Sequence, residues 1–214
     1  MLTSFFGISS LSLFCLTVLL LNATPGPDTA YIVGRSVAQG RSAGMMSAFG
    51  ITAGCLIHAT LSAFGLTALL AASASSLMLI KLAGGGYLIY LGLKMLLKKG
   101  DAVTTKANSG AARTHSTIFL QALMTNVLNP KVILFFLSFF PLFVKPDSPH
   151  KILAFLLLGS IFASLSLCWN SGTALLAGTV SRHASNNPHI KLWLERTVGA
   201  AFIALGVKLA FTKS

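Results

Sequence analysis

Asn22-Ala23-Thr24-Pro25-Gly26-Pro27-Asp28 is the stretch on which the reading of this chain turns. Apolar residues precede it from Phe5 to Leu21, and Tyr31-Ile32-Val33 follows. Two prolines remove backbone N–H donors from what would otherwise be one helix, and each ring crowds the carbonyl four residues back. Asp28 brings in one of only four acidic residues among 214. Irregular backbone survives at membrane depth only where it is buried in protein or lines a cavity. An acid there costs about 2.5–3.5 kcal/mol on insertion scales and marks a functional position by default. The stretch therefore predicts a broken helix at the heart of a membrane transporter.

Composition agrees. The chain is 54% hydrophobic and 9% charged, with a mean hydropathy of +0.79, whereas a soluble domain carries about 25% charged residues. At roughly 20 apolar residues per spanning helix, the length accommodates five to seven spans and no soluble domain. The formal net charge is +12. Most Lys and Arg lie between apolar runs, with no basic stripe and no nucleic-acid motif. The excess therefore reads as positive-inside bias and contact with anionic lipid, not nucleic-acid binding. No Lys or Arg precedes the first apolar run, so it is expected to be a retained span and not a secretory signal. Cys15, Cys55 and Cys168 each sit alone in an apolar run, without CxxC or zinc spacing. They read as small packed hydrophobes, with no metal site and no cofactor implied. No catalytic triad or phosphate loop stands out, so the chain is not expected to be an enzyme.

The predicted fold is all-α and integral to the membrane, with six transmembrane helices. Span 1 runs from about Phe5 through the break to Val33. Thr24-Pro25 is expected to restart its second half, as N-cap and first helical residue. Arg35 to Arg41 reads as a short basic loop. Span 2 covers about Ala43 to Leu70, where Gly40, Gly44, Gly50 and Gly54 have the four-residue spacing that lets helices approach closely. Span 3 covers about Leu77 to Leu97 and holds Gly84-Gly85-Gly86. Residues 98–116 form a polar linker. Span 4 must begin near Ile118, because Val132 to Val144 alone is too short to cross a hydrocarbon core of about 30 Å. Asn129-Pro130 therefore lies inside the span, as the cap and first residue of a second half-helix. Its run Phe135, Phe136, Phe139 and Phe140 reads as facing lipid, or else a gate. Span 5 covers about Ile152 to Val180 and span 6 about Leu192 to Phe211. Basic residues concentrate after spans 1, 3 and 5, which puts those turns in the cytoplasm and both termini outside.

The linker separates residues 1–97 from 117–214, three spans in each part. An odd number of spans gives the halves opposite orientations. The first span of each half carries an Asn-and-Pro interruption, the pattern that points to the site of a secondary transporter. A three-plus-three inverted repeat with spans 1 and 4 broken is the expected architecture.

The residues that carry a family likeness run nearly the whole chain. They are Thr24-Pro25-Gly26-Pro27-Asp28, Ser36 with Gly40-Arg41 and Gly44, and Gly50, Gly54 and His58. They continue through Lys81-Leu82, Gly84, Tyr87-Leu88 and Leu91-Gly92. Leu128-Asn129-Pro130-Lys131, Phe135-Phe136, Phe140-Pro141 and Phe143 complete them. In this the chain resembles the LysE/RhtB amino-acid exporters. Thr24 stands where that family usually has Asn, and Leu142 where it usually has Gln. The resemblance implies a multi-pass exporter in a bacterial cytoplasmic membrane, driven by proton antiport. No further acid lies near Cys55 or Phe135, which favours a neutral substrate of the homoserine or threonine kind. A heavy-metal or cation permease, or a CcdA/DsbD-like redox carrier, is the alternative within the same broad clan. The permease would need clustered ligands and the carrier a reactive cysteine pair.

An amino acid is a zwitterion and needs an acceptor-rich end and a donor-rich end. Unwound carbonyls with an acid suit its ammonium, and half-helix N-termini suit its carboxylate. Asp28 is assigned the ammonium or a proton in alternation; otherwise it is a first-turn acid favoured by the helix dipole. Asn22, Pro25, Gly26 and Pro27 shape that first break. Asn129 and the amides after Pro130 are assigned the carboxylate. Lys131, a cation at a helix start, needs an anionic partner, either Asp28 or the substrate, unless it snorkels to the surface. His58 is either a proton relay or a hydrogen-bonded packing residue. Tyr31, Asn126 and Asn170 either line the path or bond a neighbouring helix. The glycine faces suit a homodimer or intramolecular packing alike.

Overall fold

The computed structural model describes residues 6–72, 86, 89, 90, 93, 96, 97, 113–180, 196, 200, 203, 204 and 207. Spans 3 and 6 and most of the linker thus lie outside the described residues, apart from isolated helical positions. So do Gly84, Gly85 and the cytoplasmic turns expected after spans 3 and 5. Among the described residues the fold is all-helical, and its one β-type contact is an isolated bridge between Ile8 and Val144.

Among the described residues six α-helices follow in order: α1 (Leu11–Ala23), α2 (Pro27–Gln39), α3 (Arg41–Ala72), α4 (His115–Val127), α5 (Pro130–Leu134) and α6 (Lys151–Val180). A π-helical turn (Phe135–Phe139) and a 3-10 turn (Phe140–Phe143) extend α5. Among the described residues two stretches are long and apolar enough to cross a membrane, Arg41–Thr67 and Lys151–Ala177. The pair His115–Val127 and Pro130–Phe143, bent by 47°, makes a third if taken as one span. At 1.5 Å per residue α3 is about 48 Å long, more than the hydrocarbon core needs.

Small residues let these helices meet. α3 packs against α2, α4 and α6. A side chain at Gly50 would run into the Phe119 carbonyl of α4, and one at Gly54 into Asn126. Gly44 leaves room for Ser36 of α2 and Ala174 of α6. Gly159 of α6 faces Ala59 of α3. Gly40 belongs to a different class. It ends α2 with φ +86°, a conformation glycine adopts without a Cβ clash. It is a hinge residue, not part of the packing face.

Three further expectations are corrected. The stretch from Arg35 to Arg41 is no loop: α2 continues to Gln39, and Gly40 alone separates it from α3. The phenylalanines of span 4 do not face lipid. Phe135, Phe136, Phe139 and Phe140 are all buried, at 0–3% exposure. They join Phe14, Phe143, Phe155 and Phe162 in one aromatic core, with Phe136 and Phe162 at 4.9 Å and Phe14 and Phe143 at 5.1 Å. The cause is that Phe14, Phe155 and Phe162 of other helices cover them. The helix type also changes along the run. The Phe140 N–H reaches back five residues to the Phe135 carbonyl. Pro141, without an N–H, deprives the Leu137 carbonyl of its α-helical donor. Finally, only Cys55 of the three cysteines is buried; Cys15 is half-buried and Cys168 exposed.

The linker also ends earlier than expected. Thr114 caps α4, its hydroxyl accepting from the Thr117 N–H, so His115 and Ser116 are already helical.

Candidate functional site

The two proline breaks set up the same problem twice. In a continuing helix each carbonyl accepts from the N–H four residues on. For Leu21 that residue is Pro25, and for Asn126 it is Pro130. Neither proline has an N–H, so both carbonyls lose their donor. An unpaired buried carbonyl costs about 1–3 kcal/mol. Both are satisfied, the first by a basic side chain from the far part of the chain, the second by a nearby backbone N–H together with a histidine of α3.

At the first break Lys131 supplies the donors. Its Nζ donates to the Leu21 carbonyl at 2.6 Å and to the Thr24 carbonyl at 2.9 Å. This is where a cation belongs, at the negative end of a helix. The anionic partner expected for Lys131 is therefore replaced by backbone oxygens, and neither Asp28 oxygen accepts from it. Thr24 is not the N-cap of the restart. Its hydroxyl donates back to the Leu20 carbonyl at 2.8 Å, closing α1. Gly26 caps α2 with extended backbone, Pro27 takes the first turn, and Asp28 follows in that turn.

At the second break His58 Nε2 lies 3.3 Å from the Asn126 carbonyl, which also accepts from the Asn129 N–H at 3.0 Å. The carbonyl requires the imidazole proton on Nε2. The ring stacks on Phe136 at 5.4 Å. Asn129 caps α5 as the sequence predicts, its Oδ1 accepting from the Lys131 N–H at 3.1 Å. The Val132 and Ile133 amides donate to the Asn129 carbonyl. The amides offered to a carboxylate are thus engaged by Asn129, which itself lines the cavity.

Between the breaks lies a small cavity lined from α1, α2, α3, α4, α5 and α6. About 20 Å³ of it is open to the centre of a water-sized sphere, room for a single water. Asn22, Gly26, Asp28, Asn126, Asn129, Lys131 and Asn170 line it. Asp28 Oδ2 accepts from Asn126 Nδ2 at 2.7 Å. Asp28 Oδ1 and Asn126 Oδ1 are shut off from solvent and have no hydrogen-bond partner. Asn22 Nδ2 donates to Ser166 Oγ at 3.0 Å, which joins α1 to α6. Leu21, Ile51, Val132 and Phe162 supply its apolar lining.

Other candidates fall elsewhere. Pro25, Pro27 and Pro130 shape the backbone and do not line the cavity. Tyr31 donates to Gln121 Oε1 at 3.1 Å or to the Ile118 carbonyl at 3.2 Å, tying α2 to α4. Arg35 and Arg113 converge on the same Gln121 oxygen. His58 supports the second break from behind. The reading of the sequence missed the apolar lining residues Leu21, Ile51 and Val132, and also Thr29, Cys55, Phe162 and Ser166. A signal existed for two of them. Phe162, Ser166 and Asn170 recur every four residues and so share one face of α6.

Apolar helices packed around a polar cavity, with two helix breaks facing it, are the build of a membrane translocator. The chain matches the LysE type translocator family over residues 19–213, and it belongs to that family. It is similar to an uncharacterized membrane protein of Pseudomonas aeruginosa, with 31% identity over 95% of this chain and 96% of that one. It is also similar to the leucine efflux proteins of Salmonella choleraesuis and Salmonella typhimurium, with 26% identity over 98% of each chain. No solved structure matches it.

Proposed function

We propose that this chain exports small neutral amino acids, of the homoserine, threonine or leucine kind, from the cytoplasm in exchange for protons. The observation that carries the reading is Asp28. One carboxylate oxygen is fixed by Asn126, and the other is buried beside the cavity without a partner. A buried acceptor left open in this way is costly unless something binds it. An ammonium group and a proton are the two occupants that suit it, and their alternation is antiport. The carboxylate of the substrate faces the Asn129 amide and the Lys131 ammonium. Leu21, Ile51, Val132 and Phe162 receive an uncharged side chain. The relatives named for leucine efflux support a neutral substrate. The site lies between two inverted three-span halves of a multi-pass inner-membrane protein, so that rocking one half against the other opens it to each side in turn.

The test is efflux from proteoliposomes loaded with threonine, homoserine or leucine under an imposed pH gradient. Asp28→Asn keeps the shape and the Asn126 contact but holds neither charge nor a titrating proton. It is expected to lower efflux at least 100-fold while the protein remains folded and monodisperse. Undiminished proton-driven efflux by that variant would remove Asp28 from the mechanism.

A further inference from the structure

Lys131 takes up acceptors that an amino acid would want. We propose that the carbonyl oxygens of Leu21 and Thr24 form a subsite for a primary ammonium group. Lys131 Nζ is its resting occupant, and the α-ammonium of the substrate displaces it, giving two N–H to these carbonyls and the third to Asp28. The second half of this statement rests on the amino-acid reading above; the existence of the subsite does not.

Three observations converge on it. The acceptors are open by construction, since Pro25 cannot donate to Leu21 and the chain turns away after Thr24. They already hold an R–NH3+ group, at 2.6 and 2.9 Å, the first slightly shorter than the usual charge-assisted bond and the second within its range. The substrate carries the same group. The lysine also approaches across Gly26: its Cδ and Nζ lie 3.8 Å from where a Cβ would be, and both residues line the cavity. With Lys131 docked, the cavity has room for about one water, and an amino acid needs several times that space. Release of Lys131 frees both acceptors and space for the substrate. The exchange strands no charge. The incoming ammonium satisfies the two carbonyls, and the freed lysine meets the incoming carboxylate. When substrate leaves, Lys131 returns, and the empty carrier never exposes bare carbonyls.

The test uses the full chain, purified in detergent, with methylammonium as the probe. Lys131→Met removes the resident ammonium. Millimolar methylammonium chloride is expected to raise the Tm of this variant by about 3 °C or more. The native chain should move by less than about 1 °C, since its subsite is filled. Tetramethylammonium chloride, which has no N–H, should shift neither. Equal shifts in both chains, or none in Lys131→Met, would overturn the proposal. If that variant does not fold, Lys131→Gln in the same assay carries the same expected and overturning results. The two readings fail separately. A native chain that moves no amino acid in proteoliposomes removes the export reading and leaves a methylammonium shift standing. A chain that exports amino acids but shows no shift loses only the subsite.

Discussion

The break between α1 and α2 and the break between α4 and α5 solve one chemical problem with unequal means. At the first, the orphaned carbonyls rest on a single remote side chain, Lys131, through two short bonds. The restart beyond it, at Gly26, has no side-chain cap. At the second, the orphaned Asn126 carbonyl has a local donor, the Asn129 N–H, beside His58. Its restart is capped by the Asn129 side chain. The second break is thus held mainly by its own residues, and the first by a residue from across the chain. A local cap persists while helices shift; a remote one depends on where its carrier sits. The first break is the conditional one.

That contrast can be broken or sharpened by substitution, with stability read from unfolding in mixed micelles. Lys131→Met should have the largest effect, about 2–3 kcal/mol, because two carbonyls lose charge-assisted bonds together. Asn129→Ala should cost about 1 kcal/mol, the usual loss at a helix N-cap. His58→Phe, which keeps the stacking on Phe136, should cost only about 0.5 kcal/mol, because the Asn129 N–H still serves Asn126. A His58 variant as damaging as the Lys131 variant would mean that the two breaks depend equally on remote donors.

Much of this was legible in the residues. Both breaks follow from where prolines fall in apolar runs. Asn129 as cap follows from Asn standing directly before Pro. Close packing at Gly44, Gly50 and Gly54 follows from their spacing. Asp28 in the cavity follows from its rarity. What stayed hidden depended on tertiary partners. Lys131 was expected to seek a carboxylate because composition shows charges and not orphaned carbonyls. Counting four residues back from each proline would have located the acceptors, but not the side chain that reaches them. The helical cap moved from Thr24 to Gly26 because two prolines compete for the first turn, and Thr24 is drawn back to the Leu20 carbonyl. The phenylalanines near Phe135 point inward because Phe14, Phe155 and Phe162 of other helices cover them, and an apolar run does not show whether lipid or protein covers it. Gly40 shared a spacing with packing glycines but carries a backbone angle that spacing cannot reveal.

Asp28 and Lys131 bring one negative and one positive side chain to the same cavity. With both ionised their sum is zero, and a zwitterion entering between them leaves it at zero. Membrane voltage, worth about 2.3 kcal/mol per elementary charge per 100 mV, then exerts little force on the amino acid itself. Any electrical dependence of the cycle falls on the step that carries the counter-ion.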